Sequence, residues 1–388
     1  MIKDRHEIMK RLSSCELKDY GVYKNSLADQ WMNLETETVI AGLNNSDTSG
    51  VLLKLLEDEN NIEKFFEGFQ ITSMLLKAKN KLLFLPGNAA ELAEKLKKKA
   101  AENGVTIMSG LIYKRDWGEC SVCHIVTMLE LMDCINGTYE KGIYISVNNG
   151  PLEKVDPQKK LSEIVTDKTI KGLISGNNLF GPEALSMTAE QAGIDNGAIT
   201  TLNDQTCIIC EVEHRLLNAR ERSCGKCVFC REGLLQLQLI HKDITTGKGK
   251  SEYLDIAKEI GEAMTFGCVC SLGHESSKAV LGAMTCFSDE YAGHIKRKKC
   301  EAGQCFSASL YYIDPERCEG CGDCMDVCPA GCIEGKARYI HMIDTMDCTG
   351  CGACLKICEN QAIMKTSGKP PKLPTRLVKC GKFKSDRR

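Results

Sequence analysis

CEGCGDCMDVCP (residues 318–329) and CTGCGACLKICE (residues 348–359) carry the same cysteine spacing twice. Cys318, Cys321, Cys324 and Cys328 form the first run, and Cys348, Cys351, Cys354 and Cys358 the second. Two-residue spacers let three thiolates hold three irons of one cubane, while the fourth cysteine of each run ligates the neighbouring cluster. The spacing therefore assigns Cys318, Cys321, Cys324 and Cys358 to one [4Fe-4S] cluster, and Cys348, Cys351, Cys354 and Cys328 to a second. Gly320, Gly322, Gly350 and Gly352 permit the tight backbone needed close to sulfur. Zinc knuckles also use paired cysteines, but a four-ligand zinc site does not account for a run of four at this spacing twice. Glu359 stands where the first run has Pro329, a change that bears on hydrogen bonding and potential rather than on ligation.

The surrounding chain is ordinary in bulk: 388 residues, 43% hydrophobic, 26% charged and a formal net charge of -2. That balance provides no overall field for nucleic acid or an anionic membrane. Residues 1–10 hold no apolar h-region, and no apolar run approaches a bilayer span. The expectation is a cytoplasmic protein whose 24 cysteines serve metals rather than disulfides, in an oxygen-poor host.

From Asn61 to about Tyr113 helix and strand periodicities alternate. An apolar helix runs through Phe65, Phe66 and Leu76, and a short strand covers Leu82 to Leu85. A helix capped by Asn88 then ends at Gly104, before a strand from Val105 to Tyr113. Tyr144 to Val147 followed by Asn148-Asn149-Gly150 reads as a strand and turn, opening a β-rich module that reaches about Gly197. Helical periodicity returns after Cys210 and continues to about Ile295. Thr366 to Arg388, rich in proline and basic residues, reads as an exposed tail. Trp31, Trp117 and the stripe Leu52, Leu53, Leu55 and Leu56 are most simply core or subunit contact. Lys296 to Lys299 and the basic tail read as solvated charge, or as a docking surface for an acidic partner.

Cys224, Cys227 and Cys230 again offer three thiolates at two-residue spacers, with Cys268 and Cys270 as candidates for the fourth ligand. Cys120-Ser-Val-Cys123-His124 spells the c-type haem attachment motif, which an unexported chain has no route to use. A redox or metal-binding pair, joined by Cys134, and simple burial on a helix are the alternatives. His294, Cys300 and Cys305 with Cys207, or with Cys210 in its place, make a closed zinc set of three thiolates and one imidazole.

The segment Ser223-Cys224-Gly-Lys-Cys227-Val-Phe-Cys230-Arg231-Glu232-Gly233 resembles the flavin- and NADH-binding subunit of respiratory complex I. It also resembles the beta subunits of electron-bifurcating hydrogenases and formate dehydrogenases. That family completes the cluster with a cysteine before x-Leu-Gly, which here is Cys270, ahead of Ser271, Leu272 and Gly273. Phe287 to Ile295, Cys300 to Cys305 and Tyr312 to Pro315 look like the bridge to the ferredoxin domain, and the zinc set resembles a structural zinc at that bridge. Gly142 to Asp204, with Ser175-Gly176-Asn177-Asn178-Leu179-Phe180-Gly181, is similar to the family's ubiquitin-like β-grasp module. The likeness covers roughly residues 140 to 365.

The amino-terminal part departs from the family. No Gly-Arg-Gly-Gly-x-Gly-Phe-Pro phosphate cradle and no Gly-x-Gly-x-x-Gly is present. Where the family has Tyr-Ile-Cys-Gly-Glu-Glu, this chain has Ser121-Val122-Cys123-His124-Ile125-Val126. The resemblance implies an α+β multidomain chain. It would comprise an N-terminal extension (1–34), a shortened, degenerate flavin-domain-like α/β region (35–140), an SLBB-like β-grasp module (141–205) and a helical bundle with one [4Fe-4S] cluster (206–300). A ferredoxin-like domain with two clusters (301–365) and a basic tail (366–388) would follow. It implies an electron-transfer subunit in which FMN is not expected. Its partners would be a thioredoxin-like [2Fe-2S] subunit, a catalytic flavin-, molybdenum- or hydrogenase-type subunit, and ferredoxin. A catalytic NAD(P)H:acceptor subunit retaining FMN, and a scaffold with structural clusters, are the alternatives.

Overall fold

The computed structural model describes residues 4–113, 116, 120–305, 310–345, 347–348, 350–366 and 370–383. Trp117 and the extreme end of the basic tail lie outside them. The chain divides into two compact units. The first comprises Met1–Asn203, Arg215–Leu235 and Ile260–Gly282, and the second Asp204–His214, Gln236–Glu259 and Ala283–Arg388.

Unit 1 opens with two helices, α1 (Arg5–Cys15) and α2 (Leu27–Trp31), whose first turns are capped by the Asp4 and Ser26 side chains. A parallel sheet follows, with β1 (Thr38–Gly42), β2 (Asn80–Leu85), β3 (Thr106–Ser109) and β4 (Ser121–His124) in the order β3-β2-β1-β4. Alternation along β1 splits its side chains between two cores. Val39 and Ala41 join the larger cluster, and Ile40 packs with Phe84 and Ile112 on the other face.

Helix α3 (Glu59–Leu75) starts at Asp58, whose carboxylate accepts the Asn61 N–H at 3.0 Å. Two helices complete this layer, α4 (Ala90–Glu102) and α5 (Ile125–Asn136). Helices α3 and α5 approach closely at Gly68, where a Cβ would lie 2.3 Å from the Met128 carbonyl oxygen. The large core also takes Ile8, Leu12, Leu17, Leu27 and Trp31, so the segment from Ile8 to Trp31 packs as part of this layer. Leu52, Leu53 and Leu56 enter it from a 3-10 turn, Val51–Glu57.

Two boundaries differ from the periodicity reading. Asn88 does not cap α4, because a 3-10 turn closes first through the Ala89 N–H on the Pro86 carbonyl at 2.9 Å, which puts Asn88 inside the turn. Strand β3 stops at Ser109, where Gly110 at φ 128° turns the chain away before Tyr113. The cysteine expectation also needs correction. Helix packing pairs Cys15 of α1 with Cys134 of α5 in a disulfide, so Cys134 does not join Cys120 and Cys123.

The second sheet of unit 1 holds β5 (Ile143–Val147), β6 (Glu153–Val155), β7 (Gly172–Ser175), β8 (Asn178–Phe180) and β9 (Ala198–Leu202) in the order β6-β5-β9-β7-β8. Only the β5–β9 pair is parallel; the other three are antiparallel. A short helix, α6 (Leu161–Ile164), covers its core with Leu161.

Helices α7 (Ile208–Arg222), α8 (Val228–Thr245), α9 (Glu252–Gly267) and α10 (Ser271–Cys286) contribute residues to both units. In unit 2, α11 (Ser288–Ala292) runs into a π-helical turn, Gly293–Arg297. The carboxyl-terminal region pairs β10 (Leu310–Ile313) with β13 (Ile363–Thr366), and β11 (Ile333–Glu334) with β12 (Met342–Ile343), both antiparallel. Two one-turn helices, α12 (Asp323–Asp326) and α13 (Ala353–Ile357), follow glycines with positive φ. The tail is not wholly detached. Its backbone returns to this region through Ile340 N–H to Val378 O at 2.9 Å and Cys380 N–H to Arg338 O at 3.1 Å. Among the described residues no helix is long and apolar enough to cross a membrane.

Candidate metal centres and the cavity beside one of them

The two cysteine runs are interleaved in unit 2. Cys318, Cys321, Cys324 and Cys358 line one small cavity with Ile313 and His341. Cys328, Cys348, Cys351 and Cys354 line another with Tyr311, Ile333 and Ile343. The fourth cysteine of each run thus stands with the other run. Antiparallel pairing of β10 with β13, and of β11 with β12, returns the chain so that this exchange occurs.

Gly320, Gly322, Gly350 and Gly352 have φ of 73°, 106°, 70° and 71°. At Gly320 a Cβ would lie 2.7 Å from the backbone of Tyr339, so glycine is needed there for close approach as well as for conformation. Sequence spacing did not single out two further thiols. Buried Cys332 lines the second cavity with its Sγ 3.5 Å from that of Cys328, and Cys380 of the returning tail sits against Cys318.

In unit 1, Cys224 and Cys227 precede α8 and Cys230 lies in its first turn. The Ser223 hydroxyl is 3.5 Å from the Cys230 sulfur. Both Cys268 and Cys270 arrive just before α10, in different settings. Cys268 is buried and hydrogen-bonded to Cys230, a contact that, against the opposing effect of burial, lowers the Cys230 thiol to about 6. Cys270 is half-buried, and its sulfur accepts the Asn45 Nδ2–H at 3.3 Å. Asn45, in the loop after β1, also accepts from the Leu272 N–H at 2.9 Å and from the Ser271 hydroxyl. That single amide fixes the start of α10 beside the cysteine. No spacing signal marks it, because its role arises only when the loop meets the helix.

Cys207, His294, Cys300 and Cys305 are all buried, and their ligand atoms lie within 4.8 Å of one another. The Cys207 sulfur is 3.4 Å from both His294 Nε2 and the Cys305 sulfur, and His294 Nε2 is 3.2 Å from the Cys305 sulfur. Cys210 touches the group with its sulfur 3.3 Å from Cys305. The π-helical turn aims His294, whose Nδ1 meets the Glu290 carbonyl at 2.8 Å. That bond places the proton on Nδ1 and leaves Nε2 as the ligand atom. Burial lowers the His294 pKa, but the Cys300 contact and the Glu290 carbonyl more than reverse this, and the net shift is upward.

A cavity of about 330 Å³ lies at the carboxyl ends of β1 and β4 in unit 1, with Cys270 and Ser271 on its wall. Cys120 and Cys123 also line it, but they pack in separate apolar clusters on either side of the sheet. Burial pushes the Cys123 thiol up, which argues against a reactive pair. Asp19, from the segment between α1 and α2, reaches the amino end of α5. Its Oδ1 accepts the His124 N–H at 3.0 Å and the Thr127 hydroxyl at 2.7 Å. Burial pushes Asp19 up to about 6 despite these bonds and pulls His124 down to about 3.

Comparison with known proteins places these regions. Residues 212–294 match the NADH-ubiquinone oxidoreductase-F iron-sulfur binding region, and residues 310–359 match a 4Fe-4S dicluster domain. The chain is 36% identical over 156 residues to the NADP-reducing hydrogenase subunit HndC of Solidesulfovibrio fructosivorans, covering 40% of this chain and 32% of that protein. It is 28% identical over 107 residues to the mitochondrial NADH dehydrogenase (ubiquinone) flavoprotein 1 of Dictyostelium discoideum, covering 28% and 22% respectively. The chain therefore spans a third or less of the length of these two relatives. The fold is similar to that of a chain in an H2-reduced NAD+-reducing [NiFe]-hydrogenase, with a TM-score of 0.64 at 16% identity over 76% of this chain and 63% of that one. Residues 212–294 are thus similar to the iron-sulfur binding region of the NADH-ubiquinone oxidoreductase F family, and a 4Fe-4S dicluster domain follows them.

Proposed function

We propose that the chain is an iron-sulfur electron-transfer subunit of a multisubunit oxidoreductase. It would relay electrons between a flavin or metal centre on a partner and ferredoxin or another carrier. The observation that carries this reading is the interleaving in unit 2, where Cys358 stands with the first run and Cys328 with the second. Clusters bound there supply reversible one-electron transfer. The chain's own part is to bury Cys324 and Cys354, to exclude water with Tyr311 and Ile313, and to place donors near sulfur, which sets potential.

Cys224, Cys227, Cys230 and Cys270 would hold a third [4Fe-4S] cluster, with the Asn45 N–H directed at the Cys270 sulfur. Cys268 is then a neighbour of Cys230 and not a ligand. Cys207, His294, Cys300 and Cys305 suit zinc, since three thiolates and one imidazole close a tetrahedral site and the Glu290 carbonyl fixes the imidazole. The five-strand order and the parallel β5–β9 pair favour an SLBB-like β-grasp module at 141–205. The parallel sheet favours a shortened relative of the flavin domain at 35–140. FMN does not fit the cavity beside Cys270, because a carboxylate already occupies the helix amino end where phosphate would sit. The electron source is therefore assigned to a partner, either a thioredoxin-like [2Fe-2S] subunit or a catalytic flavin-, molybdenum- or hydrogenase-type subunit.

The test is iron analysis with potentiometric EPR on the full chain and on Cys328→Ser and Cys358→Ser. About twelve irons per chain are expected from three four-iron clusters. Cys328→Ser should disturb the same signal as Cys348→Ser, and Cys358→Ser the same signal as Cys318→Ser. Clusters that resist reversible reduction would favour the scaffold reading. Stoichiometric FMN with bleaching by NADH would favour a catalytic subunit.

A further inference from the structure

The two cysteine runs are built alike after their fourth cysteine and differ there by one sulfur. The first continues as Cys328-Pro329-Ala330-Gly331-Cys332-Ile333, and the second as Cys358-Glu359-Asn360-Gln361-Ala362-Ile363. In each, the third residue after the cysteine is left-handed, Gly331 at φ 59° and Gln361 at φ 48°, and its N–H returns to the cysteine carbonyl at 3.1 Å. The next residue is pinned by its own carbonyl, Cys332 to the Asp344 N–H and Ala362 to the Asp314 N–H, both at 2.7 Å. The Ala362 N–H donates to the Cys358 sulfur at 3.3 Å, and the Cys332 N–H is likewise directed at the Cys328 sulfur.

Equivalent positions therefore face the two cavities, and only one of them carries a thiol. Ala362 lines the cavity of Cys318, Cys321, Cys324 and Cys358, and Cys332 lines that of Cys328, Cys348, Cys351 and Cys354. Cys332 is 5% exposed. Its sulfur is 3.5 Å from that of Cys328 and hydrogen-bonded with that of Cys348, so it touches one cysteine from each run. Filling space does not require sulfur here, because the repeat does so with the methyl group of Ala362. Five thiols thus converge on a cavity where a four-iron cluster takes four.

We propose that Cys332 is a reserve ligand of the second cluster, taking the iron held by Cys328 when that sulfur is released or absent. This rests on the cluster assignment in the proposed function and goes beyond it. The exchange breaks the bond from iron to the Cys328 sulfur and forms one to the Cys332 sulfur. The proton leaving the Cys332 thiol goes to the released Cys328 sulfur or, where that sulfur is absent, to solvent. No electron is gained or lost. Cys358 has no such substitute, since Ala362 stands in the equivalent place and Cys380, which contacts Cys318, is not among the described residues lining that cavity.

Alanine substitutions in the full chain test this, because a serine oxygen could itself hold iron. Iron content and potentiometric EPR are measured on the wild type, Cys328→Ala, Cys358→Ala, Cys332→Ala and the double variant Cys328→Ala/Cys332→Ala. Cys328→Ala should keep about twelve irons, the content of three four-iron clusters, with the midpoint of one cluster shifted. Cys358→Ala and the double variant should each lose one [4Fe-4S] signal, whereas Cys332→Ala should keep all three. If Cys328→Ala loses a signal as Cys358→Ala does, or the double variant keeps as much iron as Cys328→Ala, the inference is overturned. The remaining cluster signals in each sample report that the chain has folded. Where an alanine variant loses all three, Cys328→Ser and Cys328→Ser/Cys332→Ala decide by the same comparison. A wild type that binds no clusters would instead remove the cluster assignment, and this inference with it.

Discussion

Cys268 and Cys270 are two residues apart, and their settings predict different costs of removal. Cys270→Ser takes a proposed ligand away and leaves the Asn45 N–H facing an oxygen. It should lower iron by about four atoms per chain and abolish one EPR signal. Cys268→Ser should retain the iron and shift the potential of that same cluster, because the Cys230 contact changes donor strength without changing ligation. If Cys268→Ser loses the iron and Cys270→Ser keeps it, the two roles are exchanged. At this scale the sequence is legible wherever chemistry is written as spacing, as in the three cysteine runs. It is silent on Asn45, Asp19 and Cys380, whose partners lie far away along the chain. Any asparagine or aspartate satisfies local sequence rules equally well, and only the packed loop selects one. His124 shows the same limit from the other side. Its haem-like motif is conspicuous, yet its ring caps a helix and loses basicity through burial.

Elements explain why some readings from periodicity hold and others shift. Helix α3 is legible through its apolar face, and in the structure the Asp58 cap and the Gly68 crossing point agree with that stripe. The start of α4 is misread because a 3-10 turn intervenes, and turn closure by a proline carbonyl leaves no composition signal. The four-residue centre in unit 2 joins the residue before α7, the π-helical turn and the loop 300–305, to which the Cys207 N–H is also tied through the Gln304 Oε1 at 2.8 Å. If zinc clips them, its removal should cost far more than any one hydrogen bond. Dialysis against a strong chelator should release one zinc and increase amide exchange in residues 293–305, with the cluster spectra of the described dicluster region unchanged. His294→Ala should reproduce that exchange pattern in the absence of chelator, whereas Lys296→Ala, on an exposed side of the same turn, should not. Purified protein with full iron and no zinc would remove this account of the centre.

Across the whole molecule the two units differ in how they should respond to acid. Unit 1 contains opposed groups. His124 is held down to about 3, so its contribution is complete above about 6.5 and is lost as pH falls toward 3. Asp195 is raised to about 7 and Asp19 to about 6, both by burial, so their contributions are complete below about 3.8 and are lost as pH rises through those values. These slopes partly offset each other. Unit 2 buries His241, whose Nδ1 meets the Leu237 carbonyl at 2.7 Å and whose Nε2 lies 2.9 Å from the Tyr291 hydroxyl. Burial lowers its pKa to about 4. A second proton would fall on Nε2, where the ring accepts the Tyr291 hydroxyl, and would put a charge among apolar helices. The stability that depends on the neutral ring is therefore present above pH 6.5 and lost between there and pH 4, on the order of 3 kcal/mol. Hydrogen exchange between pH 7 and pH 4.5, corrected for intrinsic rates, should show α8 around His241 and α11 around Tyr291 opening before the parallel sheet of unit 1. His241→Gln, which keeps one donor and one acceptor without a titrating ring, should flatten that acid response. A variant whose acid profile parallels the wild type would show that another group sets it.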